Sequence, residues 1–331
     1  MSYIAVIGAG SWGTTLACLL NEKGYDVSLW VYEKDLAEEI KKTRVNSLYL
    51  PGHILNDNIL VTDDLKKAVN KALYIVNAVP SQHVRRVFGN AISYLREEAV
   101  IISVSKGIEK GSLLTISSIL REMTGQRIAV LSGPSFAKEV IKKLPAAVTL
   151  ATEDKKLALL LQEMFNTSYF RVYTHNDILG VELGGALKNV MAIAAGISDG
   201  LGLGYNARAA LITRGLSEMK RLGKAMGAKE ETFTGLSGLG DLVLTCTAPL
   251  SRNYTLGYEL GKGRRLEEVV YQTKGVIEGV DTAESAYELS KRYNIQMPIV
   301  EQVYNVIYKG KSPFEAVGDL MNRTLKTEFD D

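Results

Sequence analysis

The sequence predicts an α/β fold in two parts, a mostly parallel sheet covered by helices and then an all-α C-terminal domain. Three observations carry this prediction. The chain has 331 residues, more than one compact core usually organises. Its first half alternates short apolar runs with amphipathic stretches, the pattern of parallel strands joined by helical crossovers. After about residue 177 strand-like runs become scarce, and helical patterns rich in Ala, Leu and Glu take over.

Taken in order, residues 4–7, 27–31, 73–79, 100–104, 128–131 and 146–150 read as buried strands. Residues 14–23, 34–42 and 113–123 carry helical spacing between them. Helices are expected again over 177–198, 207–226 and 281–293. The change of character near residue 180 places a dinucleotide-binding domain at 1–180 and a helical substrate and catalytic domain at 181–331. There is no internal repeat, low-complexity tract or long Pro/Ser linker.

Bulk properties narrow the function. Hydrophobic residues make up 46% of the chain and charged ones 23%, with a formal net charge of only +2. Scattered cations in that balance argue against nucleic acid or a membrane surface as partner, while a small anion needs only a few local cations. Cys18 and Cys246 are the only cysteines, too few for a disulfide framework or a metal cluster, and a reduced cytoplasmic setting is expected. His53, His83 and His175 share no ligand spacing, so no metal is expected. The first residues lack a basic segment and run at once into a strand, unlike a signal peptide. The longest apolar run, 190–197, falls short of the roughly 20 residues a span requires, so no stable membrane insertion is expected.

Gly8-Ala9-Gly10-Ser11-Trp12-Gly13 follows the first strand and opens the first helix. In such a loop the first glycine makes the tight turn and the second lets backbone approach a pyrophosphate. The third packs helix on strand, and the helix N-terminus offers N–H donors. With a second strand ending near Tyr32 and Glu33, the context is that of a Rossmann-like dinucleotide site. Glu33 would suit the ribose hydroxyls of NAD and Lys34 the 2′-phosphate of NADP, so the cofactor is NAD or NADP with the preference open.

Reducing a ketone with a nicotinamide also requires a proton donor. Lys188 lies among Gly, Ala, Val, Leu and Met. Burial there would favour proton exchange near neutrality, although a lysine stem covering apolar surface has the same pattern. Lys106 follows a strand's C-terminal end, where ligands bind in open α/β sheets, or is a solvated loop lysine. Asp241, in Gly238-Leu239-Gly240-Asp241, is a ligand carboxylate or a helix cap. Ser251-Arg252-Asn253 suits a phosphate, or a capped helix with a surface arginine.

These segments resemble one family over nearly the whole chain. The glycine loop, Ser105-Lys106-Gly107, Ser132-Gly133-Pro134-Ser135-Phe136-Ala137, Gly184-Gly185-Ala186-Leu187-Lys188-Asn189-Val190, Gly238-Leu239-Gly240-Asp241-Leu242 and Ser251-Arg252-Asn253 are similar to segments of bacterial NAD(P)-dependent glycerol-3-phosphate dehydrogenase, and in the same order. The resemblance implies an oxidoreductase interconverting dihydroxyacetone phosphate and sn-glycerol 3-phosphate, a cytoplasmic homodimer supplying glycerol 3-phosphate for phospholipid synthesis. It implies Lys188 as acid/base, with Lys106 and Asp241 beside it. It implies Gly133, Ser135, Ser251, Arg252 and Asn253 as further substrate contacts. Cofactor contacts would be Gly8, Gly10, Ser11, Trp12, Gly13, Tyr32, Glu33, Lys106, Ala137, Arg252, Val276 and Glu278. Tyr32 departs from the family, many of whose members carry a basic or His residue nearby. Rival readings are a β-hydroxyacid or phosphogluconate dehydrogenase, which differ in the clamp loop, and a non-catalytic NAD(P)H sensor, which has no need of the lysines.

Overall fold

The computed structural model describes residues 3–325 with Thr327 and Glu328. The chain forms two compact units, Met1–Lys106 with Leu114–Ile178, and Gly107–Leu113 with Leu179–Asp331.

The first unit is built on strands β1 (Tyr3–Ile7), β2 (Asp26–Trp30), β5 (Leu60–Thr62), β6 (Tyr74–Asn77), β7 (Val100–Ser103), β8 (Arg127–Ser132), β9 (Ala146–Ala151) and β10 (Phe170–His175), with a small hairpin of β3 (Val45–Asn46) and β4 (Leu50–Ile54). The sheet order is β10-β9-β8-β7-β6-β1-β2-β5. All neighbours run parallel except β8 and β9. Both faces are covered. Ile4 and Val6 of β1 join one core, and Ala5 and Ile7 join the other. Val100 and Ile102 of β7 are likewise separated from Ile101. Two buried faces are why these strands read as unbroken apolar runs in the sequence. β1 lies between β2 and β6, so the crossovers leave it in opposite directions and open a crevice at the strands' C-terminal ends.

The second unit is helical. Its centre is the helix Ile178–Gly200, whose Leu183, Leu187, Val190, Met191, Ile193 and Ala195 all enter one core. This helix corrects the sequence expectation about apolar runs. It has 23 residues and is long and apolar enough to cross a bilayer, because Glu182, Lys188 and Asn189 interrupt the run without much lowering its average. Ninety-four per cent of its apolar window is buried inside the protein, as befits a helix surrounded by others. The helices Gly204–Met226, Glu278–Arg292 and Pro298–Tyr308 contribute to the same core.

The helix expected from residue 113 begins at Ile116. Leu113 has φ 61°, a left-handed conformation that no helix interior accepts. It belongs instead to the 107–113 segment, which docks on the second unit: Ile108 and Leu113 enter that core, Ser285 Oγ donates to the Ile108 carbonyl at 3.2 Å, and Lys110 pairs with Asp281 at 3.3 Å and Glu284 at 3.0 Å. By its contacts the 107–113 segment groups with the second unit.

Candidate active site

In the first unit the loop after β1 has the geometry that a dinucleotide requires. Gly8 has φ +109°, and a Cβ there would lie 2.7 Å from the Ala78 carbonyl oxygen. A Cβ on Gly13 would lie 1.9 Å from the Gly8 oxygen, whereas one on Gly10 would meet nothing within 4 Å. So Gly8 and Gly13 are held by protein packing, while the surface above Gly10 stays open for a ligand to approach. The helix Ser11–Glu22 starts with no capping side chain and no acid in its first turn. That leaves the positive end of the helix to an external anion such as a pyrophosphate. These residues fit the cofactor. Tyr32 is exposed, with the Arg86 guanidinium 5.6 Å from its ring centroid. Glu33 Oε1 accepts from the Tyr49 hydroxyl at 2.7 Å.

Further along the same sheet edge, three of the expected substrate residues converge. Lys106 Nζ and Ser135 Oγ both donate to the Gly133 carbonyl, at 3.0 and 2.9 Å. Lys106 leaves the end of β7 beside Ser105, whose hydroxyl donates to the Val79 carbonyl at 2.6 Å and accepts from Asn77 Nδ2 at 3.2 Å. Ala137 opens a short helix, and its carbonyl accepts from Thr15 Oγ1 at 3.5 Å, which ties it to the first helix.

In the second unit Lys188 is only 6% exposed and Asp241 1%. Lys188 Nζ donates to Asp241 Oδ1 and to Thr245 Oγ1, both at 2.7 Å. Asp241 opens the helix Asp241–Thr247 after a wide turn at Leu236–Gly240, which places Thr245 one helical turn on, on the same face. The Thr245 hydroxyl also lies 3.1 Å from Asp241 Oδ1 and 2.6 Å from the Asp241 carbonyl. A buried ammonium ion-paired in this way is held at one position, and a charge so desolvated is uncommon outside functional sites.

Ser251 caps the helix Arg252–Gly261, its Oγ accepting from Tyr254 N at 3.2 Å, and Arg252 is exposed at the helix start. Asn253 is a strut. Its Nδ2 donates to Asn189 Oδ1 at 2.9 Å, and its Oδ1 accepts from Gly279 N at 2.9 Å. It thereby links the neighbour of Lys188 to the start of the helix Glu278–Arg292, next to Val276 and Glu278. The strut depends on a close helix crossing. A Cβ on Gly196 would come within 2.1 Å of the Tyr254 oxygen, and one on Gly257 within 2.0 Å of the Ile193 oxygen.

Both units match one family. Residues 3–158 match the N-terminus of NAD-dependent glycerol-3-phosphate dehydrogenase, and residues 177–318 match its C-terminus. The chain belongs to the NAD-dependent glycerol-3-phosphate dehydrogenase family. It is 56% identical over 329 residues to glycerol-3-phosphate dehydrogenase [NAD(P)+] of Geobacter sp. (strain M21), covering 98% of each chain. It is 53% identical to the protein of that name from Geobacter sulfurreducens, again over 98% of each. Among solved structures it is similar to glycerol-3-phosphate dehydrogenase from Coxiella burnetii, with 42% identity and a TM-score of 0.94 over 97% of this chain and 99% of that one. The sequence reading passed over Thr245 and Asn77, and it quoted Asn189 within a motif without giving it a role. The four-residue spacing of Thr245 from Asp241 was available as a signal. Nothing in the local pattern marks the distant partners of Asn189 and Asn77, which are Asn253 for the first and Ser103 and Ser105 for the second.

Proposed function

We propose that this chain interconverts dihydroxyacetone phosphate and sn-glycerol 3-phosphate with NAD(H) or NADP(H), and that Lys188 is the proton donor and acceptor. The observation that carries the reading is the buried Lys188 ammonium fixed by Asp241 and Thr245. When bound, the nicotinamide supplies or accepts the hydride. Lys188 gives its proton to the ketone oxygen as that oxygen becomes a hydroxyl, and takes it back in the oxidative direction. Asp241 neutralises and aims the ammonium, and Thr245 limits its swing. The arrangement needs no solvent proton at the reacting atom.

The remaining roles follow the family resemblance, unit by unit. Residues 1–180 bind the dinucleotide through Gly8, Gly10, Ser11, Trp12 and Gly13, with Tyr32 and Glu33 at the adenosine end and Ala137 alongside. Lys106, Gly133 and Ser135 contribute to the substrate, Lys106 as a cation for its charge. Residues 181–331 carry the chemistry, with Ser251, Arg252 and Asn253 for the phosphate and Arg252, Val276 and Glu278 for the cofactor. Arg252 supplies the fork of donors that a phosphate accepts. Asn253 keeps a second amide N–H beyond the one given to Asn189. The enzyme acts as a cytoplasmic homodimer that supplies glycerol 3-phosphate for phospholipid synthesis, without nucleic acid or stable membrane insertion.

The test is oxidation of NADH and of NADPH by the purified chain, with dihydroxyacetone phosphate set against dihydroxyacetone. Turnover should require the phosphorylated ketone. Failure of that ketone with both nicotinamides would overturn the reading.

A further inference from the structure

The acid at the end of the second strand is held by a chain of hydrogen bonds that starts in the glycine loop. Asn46 is completely buried. Its Nδ2 donates to the Ala9 carbonyl at 2.8 Å and to Thr14 Oγ1 at 2.9 Å, and its Oδ1 accepts from Tyr49 N at 3.1 Å. The Tyr49 carbonyl accepts from Ser11 Oγ at 2.6 Å, and the Tyr49 hydroxyl donates to Glu33 Oε1 at 2.7 Å. Tyr49 is therefore fastened at its backbone to the first residue of the helix Ser11–Glu22 and at its ring to the carboxylate.

We propose that Tyr49 is a positioning residue that sets a preference for NAD(H) over NADP(H), by fixing the Glu33 carboxylate where the adenosine ribose lies. The proposal rests on the dehydrogenase reading above and adds the cofactor choice to it. A glutamate has three rotatable bonds, and an untethered one would spread its charge over many positions. With Oε1 held by the phenol, Oε2 is presented in one direction and can accept from the ribose hydroxyls. A 2′-phosphate there would meet a fixed like charge, which costs far more than a mobile one that can swing aside. Two cations could act in the opposite sense. Lys34 follows Glu33 in sequence, and the Arg86 guanidinium rests over the Tyr32 ring. Were either to dominate, NADPH would be the tighter ligand.

The experiment measures dissociation constants of NADH and NADPH by nicotinamide fluorescence for the wild type, Tyr49→Phe, Glu33→Gln and the double variant. The wild type should bind NADH more tightly. Tyr49→Phe should cut the NADPH-to-NADH ratio of dissociation constants by about tenfold, the scale of one hydrogen bond to a charged group. Glu33→Gln should cut it at least as far, and adding Tyr49→Phe to Glu33→Gln should change nothing more. General damage would weaken both nucleotides together and leave the ratio alone, so an unchanged ratio in Tyr49→Phe, or a wild type that favours NADPH, overturns the proposal. Binding of neither nucleotide by the wild type would instead sink the dehydrogenase reading.

Discussion

Replacing Lys188 by Met separates catalysis from stability within one side chain. Methionine keeps the length and apolar stem and removes the ammonium. The first effect is on turnover. A positioned general acid contributes about 10²–10⁴-fold, so kcat should fall by that factor while nucleotide affinity holds. The second effect is on folding. Asp241, 1% exposed, is left as a buried carboxylate whose charge has lost its ion-pair partner. Breaking a buried pair in this way costs about 3–5 kcal/mol, and in a unit of this size each kcal/mol moves the melting point by about 2–4 °C. The melting transition should therefore drop by about 6–20 °C. Adding Asp241→Asn should recover much of that loss by removing the stranded charge, without recovering turnover. Calorimetry and single-turnover kinetics read the two effects independently. If Lys188→Met turned over within tenfold of the wild type, the lysine's assigned part in proton transfer would be wrong, whatever happened to the melting point.

Three other perturbations probe different parts of the molecule. Arg252→Ala should raise KM for dihydroxyacetone phosphate by about 10–100-fold, the loss expected for charge-assisted hydrogen bonds. An unchanged KM in steady-state assays would count against the phosphate clamp. Thr245→Val removes an acceptor of Lys188 at nearly constant volume. It should lower kcat by about tenfold and leave the fluorescence-measured nucleotide affinity intact; equal losses in both would mean a packing defect. Glu218→Gln concerns stability. Its buried carboxylate accepts from Ile299 N and Val300 N at the start of the helix Pro298–Tyr308, and burial pushes its carboxyl from 4.5 up to about 7. Between those values the folded protein keeps a proton that the unfolded chain has released. This contribution to stability is therefore full at the acid end and is lost as pH rises toward 7, by about 3 kcal/mol. The difference between wild-type and Glu218→Gln unfolding free energies should change across that range, and a pH-independent difference would refute the assignment.

Much of this was legible in the sequence because the central strands are buried on two faces. Residues 4–7, 100–104 and 128–131 stand out as apolar runs for that reason, and each forms a strand. Strands with one exposed face did not stand out. β10 alternates buried Phe170 and Val172 with exposed Arg171 and Tyr173, and its charged and polar positions hide it. β5 has three residues and β3 two, too short for any period to register. The glycine loop was readable since its chemistry is local, with Gly13 packed on Gly8 a few residues away and Gly8 on the backbone just past the adjacent strand. The ion pair of Lys188 with Asp241 spans 53 positions. Residue type and setting nominated both members, but only the folded chain shows that they meet. The Tyr49–Glu33 contact was likewise invisible, because it depends on a hairpin whose first strand is two residues long.

The second unit fixes its candidate groups by backbone contact more than by side-chain packing. At the crossing of Ile178–Gly200 with Arg252–Gly261, glycines face main-chain oxygens so closely that any Cβ would collide. Helices separated by ordinary side chains lie about 8–10 Å apart, and the glycines let these two backbones meet directly. Beside that crossing Asn253 bonds Asn189, and its other end reaches the amide of Gly279. Three helices are thereby referenced to one side chain. Lys188 sits one residue from Asn189, Arg252 one residue from Asn253, and Glu278 one residue from Gly279. Lys188, Arg252 and Glu278 are thus each adjacent in sequence to a member of a buried amide network. The main-chain positions of all three are tied to that network. Sub-ångström placement of this kind is what a proton-transfer step demands, and it explains why polar amides occupy the centre of an otherwise apolar crossing.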